Sequence, residues 1–245
     1  MKSFNFRLMA NDYFRFKQFI IHQDRCAFKV GTDGVLLGAL ADISDSGQLL
    51  DVGTGTGLIA IMAAQRSHCR IVAIEPHRES FLQACENVAA CPFNERIKVE
   101  NLSFRDYFIN THTKFDFIVT NPPYFRNSLR NPDRSKSMTR HADSLIPEDL
   151  LEGTLSLLSE NGSLQVILPY SEGSVFIATA AEEKLYCTKI IKIRAIPSAP
   201  VIRMILKFEK SKKRVQEKFL TIETGIHHKY TDEYIEATKD FYLKF

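Results

Sequence analysis

Long hydrophobic runs are missing from this sequence of 245 residues. A membrane-spanning helix needs about 18 consecutive apolar residues, and no such stretch occurs, so we expect no membrane span. The segment from Met1 to Ala10 also lacks a continuous apolar core and a processing site, so we expect no secretory signal. With 44% hydrophobic and 25% charged residues, the composition predicts a folded domain with a full-sized core.

Cysteine is scarce and shows no pairing pattern. The five cysteines give an odd count, and none of them forms a C-x-x-C pair. This predicts free thiols in a reducing cytoplasm rather than disulfides or a zinc site. None of the seven histidines has a metal-ligand spacing with a cysteine or an acid. We interpret the adjacent His227 and His228 as loop residues, and the sequence predicts no bound metal.

A strong net charge is also absent, because the formal value is only +3. That excess is too small to indicate a nucleic-acid partner by itself. The distribution is uneven: residues 184–218 contain eleven lysines and arginines against two acids, and residues 126–140 contain five basic residues against one acid. A solvated charged face and a phosphate-binding surface both fit these runs.

Apolar strands alternate with helical segments of about 10 to 15 residues, which predicts an α/β fold with a doubly wound, mostly parallel sheet. Two late strands, 186–194 and 201–208, are joined by a connection too short for a helix, so they are expected to be antiparallel neighbours, with an antiparallel last strand in the sheet. Near the N-terminus, 31–41 is predicted to be a helix capped by Thr32 or Asp33. The remaining predicted strands are 48–52, 70–75, 97–100, 115–120 and 162–168, which with the late pair make seven.

A glycine-rich segment, Asp51-Val52-Gly53-Thr54-Gly55-Thr56-Gly57, ends the first core strand and opens a helix. Open α/β sheets bind ligands at this point, and glycine allows close approach of a ligand to the backbone. Glu75 ends the next strand and can accept both ribose hydroxyls of a nucleoside. A plain tight turn would also explain the glycines, but the strand, turn and helix context favours a nucleoside site. The dinucleotide pattern G-x-G-x-x-G is absent, and a buried Asp51 could receive an amino acid's ammonium group.

The most specific motif is Asn121-Pro122-Pro123-Tyr124, directly after the fourth strand. The prolines fix φ and predict a rigid bend. The Asn121 side-chain oxygen and the Pro122 carbonyl can each accept one hydrogen of an amino group, and Tyr124 can stack on a planar base. A structural turn at a strand end is the alternative interpretation. The motif resembles that of amino-methyltransferases acting on adenine N6, cytosine N4 or glutamine N5.

The glycine segment resembles the first motif of class I S-adenosylmethionine methyltransferases, which implies a Rossmann-like fold and that cofactor. By that resemblance the adenine contact aligns with Ser103, near Asn101 and Asp106. Two terminal segments, 23–38 and 230–243, resemble the bacterial family that N6-methylates adenosine 37 of a valine tRNA. The resemblance covers nearly the whole chain. It implies that Lys29, Thr32 and Asp33 help to close the cofactor site, although helix capping is an equal alternative.

This resemblance predicts a single methyltransferase domain over 1–245: an N-terminal extension (1–45) that closes the cofactor site, a catalytic core (46–210), and a C-terminal strand and helix (211–245). A tRNA anticodon loop would offer the splayed base that such an enzyme needs. Phe125 could stack on that base or pack in the core. The flanking phosphates could be held by Arg126, Arg130, Arg134 and Arg140, and the basic strand region near Lys189, Lys192, Arg194 and Arg203 could add to this surface.

Several rival functions remain open. A glutamine N5 methyltransferase of release factors usually carries an N-terminal helical bundle, for which the residues before the first core strand leave little room. DNA or ribosomal RNA N6-adenine methylation is a further alternative. Outside methyl transfer, a non-catalytic module that binds S-adenosylmethionine or a nucleotide, and a nicotinamide oxidoreductase, are the other candidates. The expected protein is a cytoplasmic monomer that binds tRNA.

Overall fold

The computed structural model describes residues 11–26, 28–122 and 145–245. A short hairpin comes first, formed by strands β1 (Tyr13–Arg15) and β2 (Ile20–His22). The strands of the main sheet are β3 (Gln48–Val52), β4 (Arg70–Ile74), β5 (Ile97–Glu100), β6 (Phe115–Thr120), β7 (Leu158–Pro169), β8 (Tyr186–Arg194), β9 (Val201–Glu209) and β10 (Gln216–Thr221). The α-helices are α1 (Thr32–Leu40), α2 (Leu58–Arg66), α3 (Arg78–Ala90), α4 (Phe104–Asn110), α5 (Pro147–Leu157), α6 (Tyr170–Glu182) and α7 (Asp232–Thr238). None of these described helices is long and apolar enough to cross a bilayer.

The main sheet has eight strands in the order β10-β8-β9-β7-β6-β3-β4-β5. Strands β3 to β7 pair in parallel, whereas β9 is antiparallel to both β7 and β8. The predicted fold class and the antiparallel pair β8 and β9 are therefore confirmed. The expected count of seven strands is wrong by one, because β10 extends the sheet by pairing in parallel with β8. The antiparallel strand is thus the penultimate strand of the sheet in sequence and not the last one.

Two hydrophobic cores cover the two faces of this sheet. One core receives α1, α2, α3 and α7, and the other receives α4, α5 and α6. Successive residues of a strand point to opposite faces, so Leu49 of β3 enters the first core and Leu50 enters the second. A strand buried on both faces needs apolar residues at consecutive positions, which explains the continuous apolar runs in the sequence.

The ends of β3 and β6 are held side by side at the carboxyl edge of the sheet. Val52 is the register partner of Thr120, and the buried Thr120 hydroxyl donates a hydrogen bond of 2.9 Å to the Val52 carbonyl. The glycine segment leaves β3 immediately after Val52, and Asn121 follows Thr120. The two motifs identified in the sequence therefore begin at neighbouring points of the same sheet edge.

Helix α1 begins differently from the sequence expectation. Its N-cap is Gly31, which makes no side-chain capping bond, so the prediction that Thr32 or Asp33 caps the helix is wrong. Both residues already lie in the first helical turn. The Asp33 carboxylate instead accepts a 2.7 Å hydrogen bond from Nε of Arg203 on β9, which ties the start of α1 to the sheet.

Candidate active site

A cavity of about 1020 Å³ lies at the carboxyl ends of β3, β4 and β6. It is large enough for a nucleoside-sized ligand. Five segments form most of its wall: the glycine loop, the turn after β4, the start of α4, the two residues after β6, and the chain that leads into α1. The residues of those segments that line the cavity are 53–56, 75–77, 103–106, 121–122 and 28–34.

The glycine loop requires glycine at two positions that face the cavity. Gly53 and Gly55 have φ values of +69° and +59°, which other residues adopt only with strain. A Cβ atom at either position would meet nothing within 4 Å, so the space beside them is open to a ligand. Gly57 serves a different purpose: it does not line the cavity, and its Cβ position lies 3.7 Å from Ala84 of α3. Contact at that distance is ordinary, so it is the left-handed backbone of Gly57, with φ of +83° at the N-cap of α2, that favours glycine there.

Asp51 lies behind the loop and not on the cavity wall. Its side chain is fully buried, and one oxygen, Oδ2, accepts hydrogen bonds from the Thr54 hydroxyl (2.6 Å) and the Ala60 backbone N–H (3.1 Å). The other oxygen, Oδ1, has no hydrogen-bond partner within the described part of the chain. Burial raises the pKa of Asp51 to about 7, and the two hydrogen bonds oppose that rise. Asp51 therefore stabilises the glycine loop and the start of α2 through these two hydrogen bonds.

Glu75 does reach the cavity, where it is 8% exposed. Its Oε2 accepts a bond from the Gly55 N–H (2.9 Å), and its Oε1 accepts one from the His77 N–H (3.0 Å). The Asn101 side chain donates to the carbonyls of Glu75 (2.8 Å) and Pro76 (3.0 Å), which fixes the turn. Burial raises the pKa of Glu75, and the backbone donors oppose this. Each carboxylate oxygen keeps a second lone pair that can accept a ligand hydroxyl.

Ser103 and Asp106 form the wall beyond Glu75. Ser103 is the N-cap of α4: its hydroxyl oxygen accepts from the Asp106 N–H (3.1 Å) and donates to Asp106 Oδ2 (2.6 Å). Both side chains line the cavity. Ser103 thus holds Asp106 in place, so the cavity wall carries a carboxylate three residues after the position that the resemblance aligned with the adenine contact.

The chain before α1 closes the opposite wall. Lys29 lines the cavity, and its ammonium group donates to the Asn11 carbonyl at 3.2 Å. The Val30 N–H is held by the buried Gln23 side chain at 2.8 Å. Further along, a Cβ atom at Gly34 would lie 3.9 Å from Nδ2 of Asn121. This segment therefore spans the cavity as far as the asparagine of the second motif.

Asn121 and Pro122 line the same cavity as Glu75 and the glycine loop. The structure also adds residues that the sequence did not single out. Phe104 and Arg105 follow a strand end, which is the position where site residues are expected. Asp149 comes from α5 and gave no such signal; its Oδ1 accepts a 2.7 Å bond from Arg105. Seven predicted site residues lie outside the described part of the chain: Pro123, Tyr124, Phe125, Arg126, Arg130, Arg134 and Arg140.

The basic strand region suggested for RNA binding is engaged within the chain. Lys189 pairs with Asp42 at 2.7 Å, and Lys192 pairs with Glu217 at 2.6 Å. Arg194 Nε donates to the Thr221 hydroxyl at 2.9 Å, and Arg203 is bonded to Asp33. These side chains link neighbouring strands and helices. Binding a phosphate would require each of them to share or exchange a contact that it already makes within the chain.

The cavity fits S-adenosylmethionine by its chemistry. Glu75 and Asp106 place carboxylates on its wall, which can accept hydrogen bonds from hydroxyl or amino groups, and the space beside Gly53 and Gly55 is open to a ligand. Four carboxylates lie on the wall. Asp33 and Asp149 are paired with arginines, whereas Glu75 and Asp106 accept hydrogen bonds from uncharged groups, so these two leave negative charge that suits a cationic sulfonium. Fold and site together define a class I S-adenosylmethionine-dependent methyltransferase.

Comparison with known proteins agrees with that class. The family model described as methyltransferase small domain matches residues 28–173. A tRNA1(Val) (adenine(37)-N6)-methyltransferase of Bacteroides fragilis is 42% identical over 96% of this chain and 100% of its own length. The protein of the same name from Trichodesmium erythraeum is 43% identical over 97% of this chain and 100% of its own length. The chain belongs to the methyltransferase small domain family, together with these tRNA1(Val) (adenine(37)-N6)-methyltransferases.

Solved structures resemble the chain in fold. A predicted O-methyltransferase from Agrobacterium tumefaciens superposes with a TM-score of 0.66 at 21% identity, covering 85% of this chain and 96% of that one. TYW2 of M. jannaschii, solved in complex with AdoMet, gives a TM-score of 0.55 at 15% identity, covering 81% of this chain and 86% of that one. At such low identity these likenesses concern the fold alone.

Proposed function

We propose that this protein transfers a methyl group from S-adenosylmethionine to the exocyclic amine of an adenosine in tRNA, at position 37 of a valine tRNA as in the relatives' names. The main support for this proposal is that Asn121 and the glycine loop line the same cavity from the ends of adjoining strands. Thr120 and Val52 hold those ends together. The substrate amine and the methyl donor would then meet at the junction of the two motifs.

On the cofactor side, Glu75 would accept the ribose hydroxyls, since each of its oxygens is fixed by one backbone N–H and keeps a second lone pair. The backbone at Gly53 and Gly55 would border the methionine part. Asp106, positioned by Ser103, would accept a hydrogen of the cofactor's adenine amino group. The wall formed by Lys29, Thr32 and Asp33 would cover the bound molecule.

On the substrate side, the chain's task is to make a weak nucleophile reactive. The lone pair of an exocyclic adenine amine is delocalised into the ring. If the Asn121 side-chain oxygen and the Pro122 carbonyl each accept one N–H, the nitrogen is held pyramidal with its lone pair directed into the cavity. S-adenosylmethionine supplies an activated methyl group when bound. Catalysis by the protein then consists of positioning and fixed dipoles, without a nucleophilic side chain.

The roles of several residues rest on the sequence resemblance. Pro123 would complete the rigid bend, Tyr124 and Phe125 would stack on the adenine, and Arg126, Arg130, Arg134 and Arg140 would contact the RNA backbone. The chain would act as one domain, in which 1–45 closes the cofactor site, 46–210 carries the chemistry and 211–245 adds a strand and a helix.

The test compares Asn121→Ala with the wild type on bulk tRNA and labelled cofactor, with the methylated nucleoside identified by mass. We expect N6-methyladenosine as the product, and a loss of about 100-fold or more in kcat for the variant, because it lacks an acceptor used in the transition state. Cofactor affinity, measured by calorimetry, should change little. Asn94→Ala is the matched control, since Asn94 is exposed and its side chain bonds only to the Ala89 carbonyl among the contacts described.

Near-normal turnover of Asn121→Ala would refute the catalytic assignment. Methylation of a glutamine in a release factor, with none in tRNA, would refute the substrate class while leaving the cofactor site intact. Transfer to tRNA lacking adenosine 37, at the wild-type rate, would refute the position.

A further inference from the structure

Three potential metal ligands meet on the hairpin that follows β10, which runs from Glu223 to Tyr230. Glu223, His227 and His228 each offer one ligand atom, and these atoms all lie within 4.8 Å of one another. The sequence did not indicate this group, because the two histidines are adjacent and the acid lies four residues earlier, which matches no common zinc motif. The cluster is separate from the cofactor cavity, whose lining includes none of the three residues.

The hairpin backbone is fixed independently of these side chains. The Glu223 N–H donates to the Ala195 carbonyl at 2.8 Å, which attaches the hairpin to the end of β8. Across the turn, the Thr224 N–H donates to the Lys229 carbonyl at 2.9 Å, and Glu223 forms a β-bridge with Tyr230. A ligand would therefore meet a preformed turn and pay little ordering entropy.

The local backbone also brings the two imidazoles to one side. Successive side chains of an extended chain point in opposite directions. His228 has φ of +62°, a left-handed conformation that redirects its side chain, and the two ring centroids lie only 3.8 Å apart. The His228 N–H donates to Glu223 Oε1 at 3.3 Å, which keeps the carboxylate beside the rings.

We propose that Glu223, His227 and His228 form a binding site for a divalent transition metal, with Zn²⁺ as the best match. Two imidazole nitrogens and one carboxylate oxygen suit Zn²⁺ and its neighbours in the first row, whereas Mg²⁺ and Ca²⁺ prefer oxygen ligands. Two ligands of a tetrahedral zinc lie about 3.4 Å apart, given metal–ligand bonds of about 2.0–2.2 Å. Rotation of exposed side chains closes the remaining distance, and water completes the coordination.

Metal binding here would brace the C-terminal part of the fold. The hairpin leads into Thr231, whose hydroxyl caps α7 by accepting from the Tyr234 N–H at 3.2 Å. Tyr234 and Phe241 are buried in the same core as the residues of α1. A metal at the hairpin would thus stabilise the connection between β10 and α7, the helix that packs in the same core as α1.

The test uses the tag-free full-length protein under reducing conditions. Co²⁺ is titrated and followed by its visible absorption, and Zn²⁺ affinity is obtained by competition. We expect one equivalent to bind and Zn²⁺ to raise Tm. His227→Ala, Glu223→Gln and His228→Asn should each weaken binding at least tenfold. Asparagine is chosen at position 228 because it tolerates the left-handed backbone.

His68→Ala is the matched control, because His68 is equally exposed and paired with Asp45 at 2.8 Å, far along the chain from the hairpin. It should retain full affinity. The proposal is overturned if no one-to-one binding occurs below about 100 µM, if the three hairpin variants bind as the wild type does, or if His68→Ala loses as much affinity as they do. Methyl transfer is not needed for any of these readouts, so their failure is distinguishable from failure of the proposed function.

Discussion

The buried carboxyl of Asp51 makes the stability of the ligand-free protein depend on pH. Burial raises its pKa to about 7 in the folded state, whereas an unfolded chain holds an aspartate near its ordinary value of about 3.9. The folded protein therefore binds this proton more tightly than the unfolded chain does. The resulting stabilisation is fully present below the unfolded pKa and is lost as pH rises through the folded pKa.

The size of the effect follows from the linkage relation. Each pKa unit is worth about 1.4 kcal/mol, and most of the difference between the two states is expressed between pH 5 and pH 8. Over that interval the wild type should lose roughly 2–3 kcal/mol of unfolding free energy through this one group. Asp51→Asn removes the titration. It adds a pH-independent cost of about 1–3 kcal/mol, because its amide nitrogen would take the place of the unpartnered Oδ1 without an acceptor.

The assay is urea unfolding of the wild type and Asp51→Asn, without cofactor, at several pH values from 5 to 8. The difference in unfolding free energy between the two proteins should shrink or reverse as pH rises. Thr54→Val removes a hydrogen bond that favours the charged carboxylate. The pKa of Asp51 should therefore rise further, and the fall in unfolding free energy with pH should extend to higher pH than in the wild type. Parallel pH profiles for the wild type and Asp51→Asn would show that Asp51 is ionised throughout, and would refute the reasoning.

Three further substitutions test the cavity wall, the packing of α5 and the anchoring of α1. Glu75→Gln keeps the shape but removes the charge that holds two backbone donors and faces the ligand; we expect cofactor affinity by calorimetry to fall about tenfold or more, and unchanged affinity would remove Glu75 from the site. Gly153→Ala places a methyl group 2.6 Å from the Phe108 ring, so unfolding free energy should fall by about 1–3 kcal/mol, a result that an unchanged urea midpoint would contradict. Arg203→Ala removes the 2.7 Å hydrogen bond to Asp33, so we expect faster hydrogen exchange in α1 and weaker cofactor binding, with kcat at saturation retained. Unaltered exchange would show that the ion pair does not anchor the helix.

The sequence predicted the features that local patterns determine. Glycines with positive φ at positions 53 and 55, an acid at the end of β4, and an asparagine after β6 were all recognisable, because parallel strands end at a common edge. The strand β10 was not placed in the sheet, since its first four residues are exposed and carry no apolar pattern. Edge strands have one face or edge in water, so hydrophobic periodicity gives little signal for them.

Side-chain direction is the other part that the sequence could not supply. Asp51 and Gly53 are two residues apart, yet one is buried behind the loop and the other faces the cavity. Asp149 reaches the same cavity from α5, nearly a hundred residues further along the chain. The packing of helices and strands decides which residue next to a motif faces the cavity. That packing depends on residues in both cores, so the motif alone does not predict it.

A side-chain hydrogen bond joins the two strand ends beside the proline motif. Pro122, the second residue after β6, has no N–H and cannot donate to the neighbouring strand. The Thr120 hydroxyl, which is buried, instead donates to the Val52 carbonyl at 2.9 Å, so a side chain supplies a cross-strand bond where the backbone ladder ends. That bond fixes the distance between the loop that would hold the methyl donor and the residue that would hold the amine. In the proposed reaction, in-line transfer would depend on this separation, so the buried Thr120 hydroxyl would act as a positioning group although it lies outside the cavity.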